Sequence, residues 1–120
     1  MKPHYKIEQN LWRAVECLAT TPETIKYRLE RAEEYHLSYV DPSKMPTEYT
    51  RTRLLEIQNQ LTKSQTQSVK KTIEKWRISK CHTIAGDICN IYYTYANFEW
   101  HLYPAGIPPV SMVSEYEQEK

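Results

Sequence analysis

The sequence predicts an all-α fold, a single-domain bundle of four or five helices whose antiparallel neighbours are joined by short proline-containing loops. Three observations carry that expectation. Only two glycines stand in 120 residues, and β-hairpins and bulges need residues free to adopt positive φ. Apolar residues recur at spacings of three and four along most of the chain, the period of a helix buried on one face. The seven prolines fall between those periodic runs, where they end helices without breaking them. A chain of this length holds one hydrophobic core and needs no metal or disulfide to fold.

Ile7, Leu11, Val15 and Leu18, with Trp12 and Ala14 beside them, predict a first amphipathic helix from Tyr5 to Leu18. Thr21 then suits an N-cap, Pro22 the first helical position and Glu23 the positive helix end. A second helix is expected from Pro22 to about Tyr39. Its apolar line is Ile25, Leu29, Ala32, Tyr35 or His36, and Tyr39, with Glu30, Glu33 and Glu34 on the wet side. The run from Val40 to Pro46 is a connection, because each proline biases its predecessor away from the helical region. Pro46 or Thr47 opens a third helix through about Lys63, with Leu54, Ile57 and Leu61 facing inward and Tyr49 and Leu55 flanking them.

The rest of the bundle lies in Gln65–Tyr103. Val69, Ile73, Trp76, Ile84, Ile88, Ile91, Tyr95 and Phe98 keep helical spacing. Lys80 would nevertheless fall near the centre of that apolar face at 100° per residue, and Gly86 weakens a helix interior. A break near Ile78–Lys80 or a kink at Gly86 would relieve both. Residues 88–103 are rich in Ile, Tyr and Thr, which suit strands as well as helices; helix is expected to about Phe98, since no hairpin signal is near. Pro104, Gly106, Pro108 and Pro109 stop regular structure, so the bundle is assigned to 1–103, and 104–120 to an irregular, proline-rich exit and polar tail.

Composition narrows the function classes. Ten Tyr and three Trp against one Phe favour half-exposed rings and interfaces, because both residues join a large apolar body to a polar atom. Cys17, Cys81 and Cys89 are an odd number with no close pair, which fits a reducing compartment rather than a disulfide framework. The first residues, MKPHYKIEQN, contain no apolar signal core, and no run approaches the ~20 apolar residues of a membrane span. A cytoplasmic protein without membrane contact is the expectation. Net charge is only +1 but polarised: residues 66–80 carry a net +4 and residues 81–120 a net −4. Such polarity favours oriented association.

Two glycines cannot build a phosphate-cradling loop, and no nucleophile elbow is present. Cys81, His82 and Cys89 are soft-metal ligand types, but structural zinc wants close pairs and a fourth ligand. Only the distant His4, His36 or His101 could supply one. The two cysteines read instead as small buried hydrophobes, and no metal or cofactor is expected. Arg77 and His82 form Arg-x4-His (Arg-Ile-Ser-Lys-Cys-His). This resembles the catalytic signature of HEPN ribonucleases, helical domains that cleave RNA without metal, usually as dimers. The resemblance implies His82 as general acid/base and Arg77 as phosphate holder. Arg31 and His36 match the same spacing, and Ile78 replaces the polar residue that commonly follows the family's arginine.

Two surface features remain. Lys63, Lys70 and Arg77 repeat every seventh residue, with Lys71 and Lys75 as a second edge. This row could track phosphates, and a solvated helix face is its plainer alternative. Tyr92, Tyr93, Tyr95, Phe98, Trp100 and Tyr103 are too many rings for one helix face to bury. The leading expectation is a small non-enzymatic module that binds another protein, the profile of inhibitors, immunity proteins and phage- or plasmid-type regulators. Its contact set is Tyr93, Trp100 and Tyr103 with Glu99, Lys71 and Lys75. Nucleic-acid binding through Lys63, Lys70, Lys71, Lys75 and Arg77 is the alternative, followed by a ribonuclease built on Arg77 and His82. No catalytic residue is assigned otherwise, and a homodimer is compatible with every reading.

Overall fold

The structure, a computed structural model, describes residues 5–61 and 68–99. Five α-helices follow one another: α1 (Tyr5–Thr20), α2 (Ile25–Tyr35), α3 (Glu48–Leu61), α4 (Val69–Glu74) and α5 (Ile78–Ala96). Two 3-10 turns, Leu37–Tyr39 and Pro42–Lys44, link α2 to α3. The described residues contain no strand, so residues 88–96 are helical, as expected. The tail expected at 104–120, together with Lys63, Trp100 and Tyr103, lies outside the described residues. Among the described residues no helix is long and apolar enough to cross a membrane.

α1 packs on α2 and α5, α2 also on α4 and α5, and α3 on α5. The core follows most of the expected apolar lines: Leu11, Ala14 and Leu18 from α1, where Ile7 and Val15 are only partly buried, Ile25, Leu29 and Ala32 from α2, and Leu54, Ile57 and Leu61 from α3. Ile73 of α4 and Cys81, Ile84, Ile88, Ile91 and Tyr95 of α5 complete it. Fully burying one such aliphatic side chain is worth about 1.5–3 kcal/mol. Leu37, Val40 and Met45 also enter the core from the connection between α2 and α3. Gln58 secures that connection by donating to the carbonyls of Leu37 (3.1 Å) and Val40 (2.8 Å).

Side-chain oxygens set the N-terminal ends of α2, α3 and α4. Thr47 and Thr50 cap α3 reciprocally, the Thr50 amide donating to Thr47 Oγ1 (3.0 Å) and the Thr47 amide to Thr50 Oγ1 (3.2 Å). This is the logic of a capping box with a threonine in place of the usual Glu or Gln. α2 starts later than expected. Its cap is Thr24, whose hydroxyl accepts from the Tyr27 amide, so Pro22 lies in the connection and not in the helix. Arg28 fastens the turn by donating to the Leu18 carbonyl at 2.6 Å. α2 also ends earlier, at Tyr35, which leaves Tyr35 and Tyr39 exposed and sends Leu37 inward instead.

Two further expectations are corrected. Glu33, assigned to the wet side of α2, is buried, and its Oε2 has no hydrogen-bond partner. Cys89, expected in the core with Cys81, is exposed. Gly86 sits within α5 without interrupting it, and a Cβ added there would meet nothing within 4 Å. Gly86→Ala should therefore raise stability by about 0.5–1 kcal/mol, because alanine loses less backbone freedom on folding. Urea unfolding of the two proteins checks this, and a destabilised variant would show that the glycine is needed.

Candidate functional site

The break expected in the long C-terminal pattern falls slightly earlier than Ile78–Lys80, at Lys75–Arg77. Ser68 caps α4 by accepting from the Lys71 amide, and the helix closes at Lys75. Trp76 donates its amide to the Ile73 carbonyl at 2.9 Å. Arg77 is extended (φ −71°, ψ 153°), and α5 begins at Ile78. The extended residue resets the helical phase. Cys81 now enters the core and Lys80 faces solvent, which avoids the cost of burying a lone ammonium. Of the seven-residue row, the described Lys70 and Arg77 consequently do not share one helix face, since Arg77 stands beyond the end of α4.

This break creates a groove. Lys75, Trp76, Arg77, Ser79, Lys80 and Thr83 line an open depression of about 490 Å³. Its wall holds three cations and no carboxylate. The Lys80 ammonium lies 4.3 Å from the centre of the half-buried Trp76 ring, a cation–π contact that holds the charge at the rim. None of Lys75, Arg77 and Lys80 is in an ion pair with a described residue; the surface pair Arg53–Glu56 (3.6 Å) is elsewhere, on α3. Lys70 and Lys71 are exposed on the adjoining α4. Lys26 reaches across from α2 to the Glu74 carbonyl at 2.9 Å.

A second surface lies at the other end of α5. Trp12 of α1 and Tyr92 of α5 meet with ring centroids 5.6 Å apart and planes tilted by 43°. Trp12 is 47% exposed and the neighbouring Tyr93 67%. Tyr95 is fully buried, and Tyr92 and Phe98 pack half-buried against the core. The fold thus sorts the expected aromatic cluster into core rings and surface rings. Glu99 is exposed beside them. The sixteen residues from Ile78 to Tyr93 span roughly 22 Å of helix, so Lys71 and Lys75 stand at one end of α5 and Tyr93 at the other.

Arg77 occupies the N-cap position of α5 without a side-chain cap hydrogen bond, and His82 follows on the second turn, both exposed. Of the other Arg-x4-His pair, Arg31 lies over the rings of Tyr27 and Tyr35 and donates to the Tyr27 hydroxyl. His36 is half-buried, and desolvation holds its pKa below the usual imidazole value. Among the described residues no group of three or more His, Cys, Asp or Glu could hold a metal ion. Sequence reasoning missed Trp76, Ser79, Lys80 and Thr83 as one groove and Trp12 as a partner of Tyr92. The misplaced charge of Lys80 was the signal for the first; the second had none, because the rings meet only through tertiary packing.

Together these features define a small all-α protein with a cationic groove and a separate aromatic edge. Compared with protein-family models, curated proteins and solved structures, the chain matches none.

Proposed function

We propose that this protein is a non-enzymatic binding module, of the inhibitor or regulator kind, that docks on another protein through the aromatic edge of α1 and α5. The observation that supports the reading is the exposure of Trp12 and Tyr93 beside the half-buried Tyr92. Trp and Tyr dominate interface energetics because they desolvate a large ring while keeping a polar atom satisfied. The core does not account for Tyr93, whose truncation removes no buried contact surface of comparable size.

The test uses the full chain immobilised as wild type, Tyr93→Ala, Trp12→Ala/Tyr93→Ala and Lys75→Gln/Arg77→Gln, each checked for helicity. Capture from the native cells is followed by mass spectrometry and titration of the captured protein. The expected result is a protein partner that binds wild type and the basic-groove variant equally and loses at least about tenfold in affinity for Tyr93→Ala, as for an interface hot spot. Unchanged capture by the aromatic double variant would remove this reading.

A further inference from the structure

We propose that the groove between α4 and α5 is a binding site for the phosphate backbone of a nucleic acid, a ligand class and a location separate from the aromatic edge. Lys75, Arg77 and Lys80 line one open depression of about 490 Å³ together with Trp76, Ser79 and Thr83, and no carboxylate is in the lining. Cations brought together in a folded protein repel one another, and here no described acidic side chain forms an ion pair with any of the three. An anion in the groove supplies the missing counter-charge.

The donors suit an oxyanion. A guanidinium gives a planar fork, two ammonium groups give point charges, and the Ser79 hydroxyl adds a neutral donor. Thr83 is committed to the Ser79 carbonyl at 3.1 Å and serves as wall. Lys80 is already held against Trp76, so less side-chain freedom is lost when it meets a ligand. Trp76 is therefore a positioning residue. The N-terminal end of α5 has no side-chain cap hydrogen bond, and the positive end of this 19-residue helix adds to the field of the groove.

The surface around the groove distinguishes a polymer from a lone phosphate. Lys70 and Lys71 are exposed on the adjoining α4, five and four residues before Lys75, with the single exposed carboxylate of Glu74 between them and the groove in sequence. A repeating phosphate chain contacts both the groove and these two lysines. Contacts of this kind carry affinity and register without reading bases, so binding is expected to be indifferent to sequence and steeply dependent on salt.

Fluorescence anisotropy tests this with labelled 20-nucleotide single strands of DNA and RNA and the matching duplex, from 50 to 200 mM salt. For five phosphate contacts on a single strand, three in the groove and two at Lys70 and Lys71, affinity should fall roughly a hundredfold across that fourfold salt range. Arg77→Gln should weaken binding about three- to tenfold and shallow the log–log salt slope by about 0.7. Trp76→Leu should weaken binding while leaving that slope nearly unchanged, because it loosens Lys80 without removing a charge. The triple variant Lys75→Gln/Arg77→Gln/Lys80→Gln should not bind, whereas Lys44→Gln, on the 3-10 turn Pro42–Lys44, and Tyr93→Ala should bind as wild type. Absence of binding at 50 mM salt, or equal binding by the triple variant, overturns the proposal. So does displacement of the nucleic acid by polyglutamate at equal charge concentration, which would reassign the groove to an acidic protein. Because Tyr93→Ala leaves the groove intact, failure here and failure of the aromatic docking surface are read from different proteins.

Discussion

Leu54→Ala should lower stability by about 2–5 kcal/mol, whereas Leu55→Ala, one residue along the same helix, should change it by less than about 0.5 kcal/mol. The two leucines have the same chemistry and opposite surroundings. Leu54 is 0% exposed, and Leu55 is 49% exposed on the outer side of α3. Truncating Leu54 removes buried methyl groups and leaves a cavity among residues that cannot fully close it, and both terms oppose folding. For a domain of this size the midpoint of thermal unfolding should drop by roughly 10–20 °C for Leu54→Ala and stay within a few degrees for Leu55→Ala. Circular dichroism melts of the pair decide it. Equal losses would mean that α3 is rotated from the described orientation.

Glu33→Gln should stabilise the protein at pH 8 by on the order of 1–3 kcal/mol and have little effect at pH 4.5. Burial disfavours the ionised carboxylate and pushes the Glu33 pKa up from 4.5 to about 7, with a smaller contribution from Glu34. The sign follows from proton binding. Between pH 4.5 and 7 the folded state holds a proton on Glu33 that the unfolded chain has released. The contribution of Glu33 is therefore most favourable below 4.5 and is lost as pH rises through about 7. His36 acts in the opposite sense, since its lowered pKa makes its contribution grow as pH rises through the imidazole range. Comparing variant with wild type cancels the histidine and isolates the carboxylate. Urea unfolding at pH 4.5 and pH 8 measures the difference, and a gap of the same size at both values would clear Glu33 of the effect.

Glu33 also shows where the sequence stops being readable. It stands among charged neighbours, Glu30, Arg31 and Glu34, and composition alone puts it in water. Its angular position next to Leu29 and Ala32 leaves it at the margin of the apolar stripe. Whether a margin is wet or dry depends on how far the neighbouring helices extend over it. Thr21 and Thr24 pose the same kind of problem. Either hydroxyl can cap a helix, and Thr24 is the one that does so once Arg28 has tied the turn to the end of α1. Lys80 was more informative, because a charge on an apolar line signals a change of phase. The residue at which the phase changes, Arg77, was set by the fit of α4 against α2 and of α5 against α1 and α3.

The candidate surfaces divide in the same way. Lys70, Lys71, Lys75 and Arg77 stood out by charge and Tyr93 by the crowding of rings around it. Their grouping did not. Lys80 joins Trp76 because α5 restarts in a new phase, and Trp12 joins Tyr92 because α1 packs on α5. The sequence by itself determined the helical class, the main apolar line of each helix and the proline-marked connection between α2 and α3, since these follow from backbone preferences and local periodicity. Only the tertiary structure decided which margins are dry, where the long C-terminal pattern breaks, and which distant side chains share a surface. Those depend on what covers what, a relation between segments that no single segment's pattern contains.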